Sequence, residues 1–202
     1  MKHKKTVFKV LALIVLLAVL LYSAKYRDIS KVRQVVGVSV DRAWGGRYIF
    51  GLEYADSDKQ GNFTVKSKRV SVVANDLSEA LAQAGLQGEY PLSLTGGSLV
   101  VICDDLLSSS MSDISEILLR QWTGRSDASI AVSDGSAAAI LSAGKHTDLR
   151  SGQLNAQLRR AGGVSVTEGA SRYLQGEALS LPLVRADEED YSISGSIEIM
   201  RT

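Results

Sequence analysis

Val35-Val36-Gly37-Val38-Ser39-Val40-Asp41-Arg42-Ala43-Trp44-Gly45-Gly46-Arg47-Tyr48-Ile49-Phe50-Gly51-Leu52-Glu53-Tyr54 (35–54) decides the class of fold. With Val32 it opens as a β-branched stretch that ends at Asp41. Trp44-Gly45-Gly46 then supplies a turn, and Arg47 to Tyr54 is the returning strand. Two such runs around a glycine turn read as a β-hairpin. Downstream, Ala55 to Asn62 is polar and glycine-containing and reads as a loop. Phe63 to Ala74 alternates through Val65, Val70, Val72 and Val73 as a third strand. Asn75 or Asp76 can cap a helix over Leu77 to Ala84, with Glu79 at its positive end and Gly85 as its stop.

Beyond that point single apolar runs alternate with helical spacing. Leu99 to Cys103 reads as a buried central strand. Met111 to Trp122 carries Ile114, Ile117, Leu118 and Trp122 at helical intervals, with Ser110 and Ser112 as cap candidates. Ser129 to Val132 is a further strand, followed by an alanine-rich helix from Ser136 to Ser142. Leu154 to Ala161 and Val166 to Leu174 suggest two short helices. Pro182 is expected to interrupt, Asp187 to Asp190 to turn, and Tyr191 to Met200 to form a terminal strand. Hairpins combined with strand–helix alternation predict an α+β, or mixed α/β, domain with a mixed sheet and packed helices.

Upstream, Val10 to Tyr22 is an unbroken apolar run of 13 residues, six of them leucine. Val7 to Ala24 extends it to about 27 Å of helix at 1.5 Å per residue, close to the ~30 Å hydrocarbon core of a bilayer. The run also suits a signal peptide, but cleavage needs small residues at both the first and third positions before the cut. Tyr22 and Leu21 occupy the third position for cuts after Ala24 and Ser23. The expectation is an uncleaved signal anchor over residues 1–24, transmembrane over about 7–24, with the globular part outside the cytoplasm at the cell membrane.

The four lysines of this leader meet no acid, which leaves 19 basic residues against 22 acidic ones in the remainder, a net of −3. No basic face remains to neutralise phosphates, so nucleic acid is not an expected partner. With 45% hydrophobic and 22% charged residues the chain is composed like a folded protein rather than a disordered one. Cys103 is the single cysteine, so an intramolecular disulfide is excluded.

The residue types point away from catalysis. His146 is the one histidine beyond the leader and has no ligand-spaced neighbour. Cys103 sits within Leu99-Val100-Val101-Ile102, where desolvation disfavours a thiolate, and reads as core. Asp56-Ser57-Asp58-Lys59-Gln60-Gly61 matches the front of a calcium loop, but Ser67 stands where the closing glutamate belongs. A solvated loop is the better reading, as it is for the acidic run 187–190. No phosphate loop, dinucleotide fingerprint or nucleophile elbow occurs. No catalytic, cofactor-binding or metal residue is assigned, no cofactor is expected, and no small-molecule ligand can be named.

The order of segments resembles the C-subunit lipoproteins of bacterial spore germinant receptors, the spore germination protein C family. Its N-terminal domain opens with a V-G-hydrophobic-x-hydrophobic-D strand, here Val36-Gly37-Val38-Ser39-Val40-Asp41. Arg47 to Tyr54, Val70 to Ala74 with Leu77-Ser78-Glu79-Ala80-Leu81, Leu99 to Ile102 and Ile117-Leu118-Leu119-Arg120 follow in family order. Ile130-Ala131-Val132, Gly135 to Leu141, Leu181-Pro182 and Ser192-Ile193-Ser194-Gly195 complete the series. The resemblance implies an α/β domain over 25–145 and part of a second domain over 146–202. It also implies an accessory subunit at the spore inner membrane, beside integral membrane partner subunits of a germinant receptor, acting by protein–protein docking. Members carry a lipobox cysteine where this chain has Leu21-Tyr22-Ser23-Ala24, so a spanning helix would replace the lipid. A structural or ring-forming envelope protein is the alternative reading.

Overall fold

The computed structural model describes residues 32–57, 65–88, 90–143, 149–187 and 190–201. The expected anchor lies outside the described residues. Among the described residues no helix is long and apolar enough to cross a membrane. Val32–Thr202 form one compact unit.

Strand β1 (Arg33–Arg42) pairs antiparallel with β2 (Tyr48–Ser57), and β2 pairs antiparallel with β3 (Val65–Ala74). Gly45 and Gly46 take φ of 71° and 74° in the turn between β1 and β2, a conformation open to glycine at no steric cost. On its other side β1 runs parallel to β5 (Leu99–Cys103), which is parallel to β6 (Ser129–Ser133), and β6 to β7 (Leu179–Ala186). Strand β8 (Tyr191–Ile199) returns antiparallel beside β7. The two-residue β4 (Leu92–Ser93) pairs with the start of β1. The sheet order is therefore β3-β2-β1-β5-β6-β7-β8, a parallel centre with an antiparallel hairpin at each end. All residues of β5 and β6 are buried, which is why they read as continuous apolar runs rather than alternating ones.

Among the described residues five helices cover the sheet: α1 (Leu77–Gln87), α2 (Met111–Gln121), α3 (Ala137–Ser142), α4 (Arg150–Arg160) and α5 (Val166–Leu174). Side-chain alternation sorts them. A Cβ on Gly37 would point at Ser151 and Leu141, so α3 and α4 lie on that face of β1. A Cβ on Gly169 of α5 would meet Ile130, which pairs with Val100, the partner of Val38. Val38 alternates with Gly37, so α5 covers the opposite face. There α2 packs against α5 and α1, and α1 against β3.

Three sequence expectations change. Helix α1 runs through Gly85 to Gln87 and ends at Gly88, whose N–H bonds Ala84 O at 3.2 Å. An interior glycine costs about 1 kcal/mol relative to alanine, too little to stop a packed helix. Strand β2 continues to Ser57, past the expected boundary at Ala55. Pro182 does not interrupt: it lies inside β7 opposite Ser196. Strand β6 pairs with β7 only at Leu183 and Val184, so no ladder bond from β6 is lost at the proline. Helix α4 packs on β1, β5 and β6, and β7 bonds β6, so residues before 145 and after 146 share one sheet and one core.

Candidate functional site

The segment that carries the family-like motif is also where the buried polar chemistry collects. Residues 37, 39 and 41 of β1 project to the face covered by α3 and α4. Asp41 Oδ1 accepts from Ala137 N at 2.7 Å and Oδ2 from Ala138 N at 2.8 Å. It caps α3 from nearly a hundred residues away, and Ser136 at the N-cap position makes no side-chain capping bond. A carboxylate there both satisfies exposed helix donors and faces the positive helix end.

Glu53 on β2 does the same for α4. It is fully buried. Its carboxylate accepts from Arg150 N at 3.1 Å, Ser151 N at 2.9 Å, Ser67 Oγ at 2.7 Å and the Ser151 hydroxyl, with Arg69 Nη2 at 3.5 Å. Gly37 stands between: a methyl there would overlap the Ser151 hydroxyl and lie 2.6 Å from its Cβ. The glycine and the aspartate of the motif are therefore docking points for two helices. Four hydrogen-bond donors and a guanidinium surround Glu53, which makes it a structural clamp on α4 rather than an open acid or base.

In doubly wound sheets ligands bind beyond the carboxyl ends of the strands, where the strand order reverses. Here that point lies between β1 and β5. Arg42 donates to Asp105 O at 2.5 Å and to the Ser109 hydroxyl. Cys103, Asp104 and Asp105 come close enough together to surround an ion. Asp104 Oδ1, however, accepts from Asp105 N at 2.9 Å and from the Cys103 thiol at 3.5 Å, and desolvation pushes that thiol up to about 11. One strand further on, Asp134 pairs with Arg185. Arg42 and Asp104 are thus occupied by backbone groups, a hydroxyl and a thiol, and Asp134 by Arg185. Trp44 projects from the β1–β2 turn, 77% exposed, with the Arg47 guanidinium 4.5 Å over its ring.

Two shallow clefts lie on the α1 side. One, between α1 and α2, is lined by Asp76, Asp113, Glu116 and Arg120. The other is apolar and runs from Leu81 and Leu86 to Tyr90 and Pro91.

The residues weighed from sequence scatter. Cys103 is buried at the end of β5, as its apolar string implied. Asp56 is held by Arg33 at 2.8 Å and Lys68 at 2.6 Å, so its carboxylate is committed to ion pairs; residues 58–64 of that loop lie outside the described residues. Of the acidic run, Asp190 accepts from Arg150 Nη1 at 3.0 Å. His146 lies outside the described residues. The sequence reading missed Glu53. Its one local sign is a carboxylate set in the otherwise apolar strand Tyr48 to Tyr54.

A family model described as the spore germination protein N-terminal domain matches residues 25–169. Among solved structures, the crystal structure of the GerBC protein is similar with a TM-score of 0.43 and 12% identity over 82% of this chain; the chain spans 48% of that protein. No curated protein matches.

Proposed function

Because the chain belongs to the spore germination family through this N-terminal domain, we propose that it is a membrane-anchored accessory subunit of a germinant receptor-like complex. The body sits on the extracytoplasmic side and works by docking onto integral membrane partners rather than by catalysis. The match over residues 25–169 carries this reading. The apolar leader, long enough to span a bilayer, supports the anchor. Trp44 supports docking: an indole this exposed on a glycine turn is the residue type that most often anchors an interface.

Affinity capture from detergent-solubilised membranes of sporulating cells and spores tests the proposal. Multi-pass membrane proteins should co-purify in stoichiometric amount, and less of them with Trp44→Ala. Recovery of the protein alone from both sources, or release of the protein from membranes by alkaline carbonate, overturns it.

A further inference from the structure

The apolar cleft on the α1 side sits at one particular end of the sheet. Its volume is about 330 Å³, and none of its described lining residues is charged. Leu86 stands at its rim, 87% exposed, and Pro91 is exposed beside it. Leu77, Ala80 and Ala84 of the same helix are buried, so α1 docks on the core without Leu86. An exposed leucine alone means little, but one set in an exposed apolar groove marks a surface that something covers.

The start of β1 forms the neighbouring structure. Arg33 N donates to Pro91 O at 3.0 Å, Arg33 pairs with Leu92 in β4, and its guanidinium lies 4.4 Å over the Tyr90 ring. The cleft is thus fixed to the point where the chain enters the sheet. The expected anchor ends at Ala24, and the residues from there to Arg33 reach at most about 32 Å when fully extended. The far end of β1, and with it the carboxyl ends of β5 and β6, lies roughly 30 Å further on at about 3.3 Å per residue. Met200, 59% exposed, belongs to the tethered end too, because β8 runs antiparallel to β7 and Ile199 pairs with Leu179. Between anchor and sheet, Lys25, Arg27 and Lys31 face one acid, Asp28. Such a basic excess beside a membrane segment is drawn to anionic headgroups.

We propose that the groove rests in the headgroup–acyl boundary of the bilayer that holds the anchor, with Leu86 and Pro91 inserted and the basic residues of 25–31 against anionic headgroups. Apolar surface flanked by basic residues is the combination that holds protein in that layer. The inference rests on the proposed anchor and adds an orientation to it. The carboxyl end of α1 faces lipid, and the Trp44 turn, at the far end of β1, stays clear of lipid and available to a protein partner.

A fluorescent label that brightens and shifts to the blue in apolar surroundings tests this in the full chain. It is placed on Leu86→Cys in a Cys103→Ser background, and the chain is reconstituted into phosphatidylcholine–phosphatidylglycerol vesicles. The control is Ser136→Cys, exposed beyond the carboxyl end of β6 and without a capping bond. Acyl-chain spin-labelled lipid should quench the label at position 86 at least about twofold and that at position 136 by no more than about 10%. Equal quenching at the two positions overturns the proposal. So does a blue-shifted label at 86 that the lipid does not quench, because protein from a second copy then covers the groove. Flotation of the same vesicles separates the two layers of the reading. A chain that does not float with them loses the anchor and this orientation together. One that floats with position 86 unquenched keeps the anchor and loses the orientation alone.

Discussion

Replacing Glu53 by alanine should loosen the fold at one place first. The carboxylate is fully buried and receives two backbone N–H groups of α4, the Ser67 and Ser151 hydroxyls and the Arg69 guanidinium. Loss of a helix-capping acceptor costs about 0.5–2 kcal/mol. Removing one partner of a buried charge pair costs about 3–5 kcal/mol, because the remaining group is left desolvated. These terms overlap, so the expected loss for Glu53→Ala is about 3–5 kcal/mol. Glu53→Gln keeps the shape and one acceptor oxygen but turns an amide NH2 toward donors, and should lose about 1.5–3 kcal/mol. For a body of this size about 2–4 °C of Tm accompanies each kcal/mol, which puts the alanine variant roughly 6–20 °C below the parent. Thermal unfolding by circular dichroism measures this, with hydrogen exchange resolving where it acts. Exchange should rise in residues 150–160 well before β5 and β6. A Tm within about 2 °C of the parent for Glu53→Ala, or exchange that rises evenly over the sheet, would refute the clamp.

Other outcomes follow from the same geometry. Gly37→Ala should destabilise by about 1–3 kcal/mol through overlap with Ser151. Ser151→Gly should recover part of that loss in the double variant, a coupling that urea titration can read. Asp41→Ala strips α3 of both its N-terminal acceptors and should cost about 1–2 kcal/mol by the same titration. Burial raises the Cys103 thiol from its ordinary 9.0 to about 11. The folded chain thus keeps a proton that the unfolded chain gives up, so this contribution is whole below pH 9 and is lost as the pH climbs to 11. Cys103→Ala should flatten that part of the stability curve, and iodoacetamide at pH 8 should label Cys103 only as fast as the protein unfolds.

Local signals announced the elements, and distance hid how they assemble. The valine-rich run before Asp41, the glycine turn and the apolar string 99–103 carry their own periodicity, so β1, β5 and the start of β2 stand where the sequence places them. Asp76 was one of two cap candidates, and its Oδ1 accepts from Glu79 N at 2.8 Å. Glu79 in turn accepts from Asn75 N, so both candidates take part in the cap. Strand β7 was missed because proline is a local signal against a strand, whereas the missing β6 partner that makes it tolerable at 182 is a property of the whole sheet. The clamp at Glu53 was illegible for a similar reason. Nothing near residue 53 indicates that a helix 98 residues later needs an acceptor there. The same holds for Asp41, whose place in the motif was plain and whose partners were not.

The reach of those two contacts sets a timetable for making the protein. Asp41 waits on an amide 96 residues downstream and Glu53 on one 98 downstream. At a synthesis rate of about 5–20 residues per second, the opening hairpin emerges roughly 5–20 s before the helices that neutralise its buried acids. In that interval two carboxylates and the apolar side of three strands have only solvent, or a chaperone, for company. Native structure can lock only after residue 151 has emerged, which makes the nascent chain, rather than the finished one, the state most exposed to proteases and aggregation.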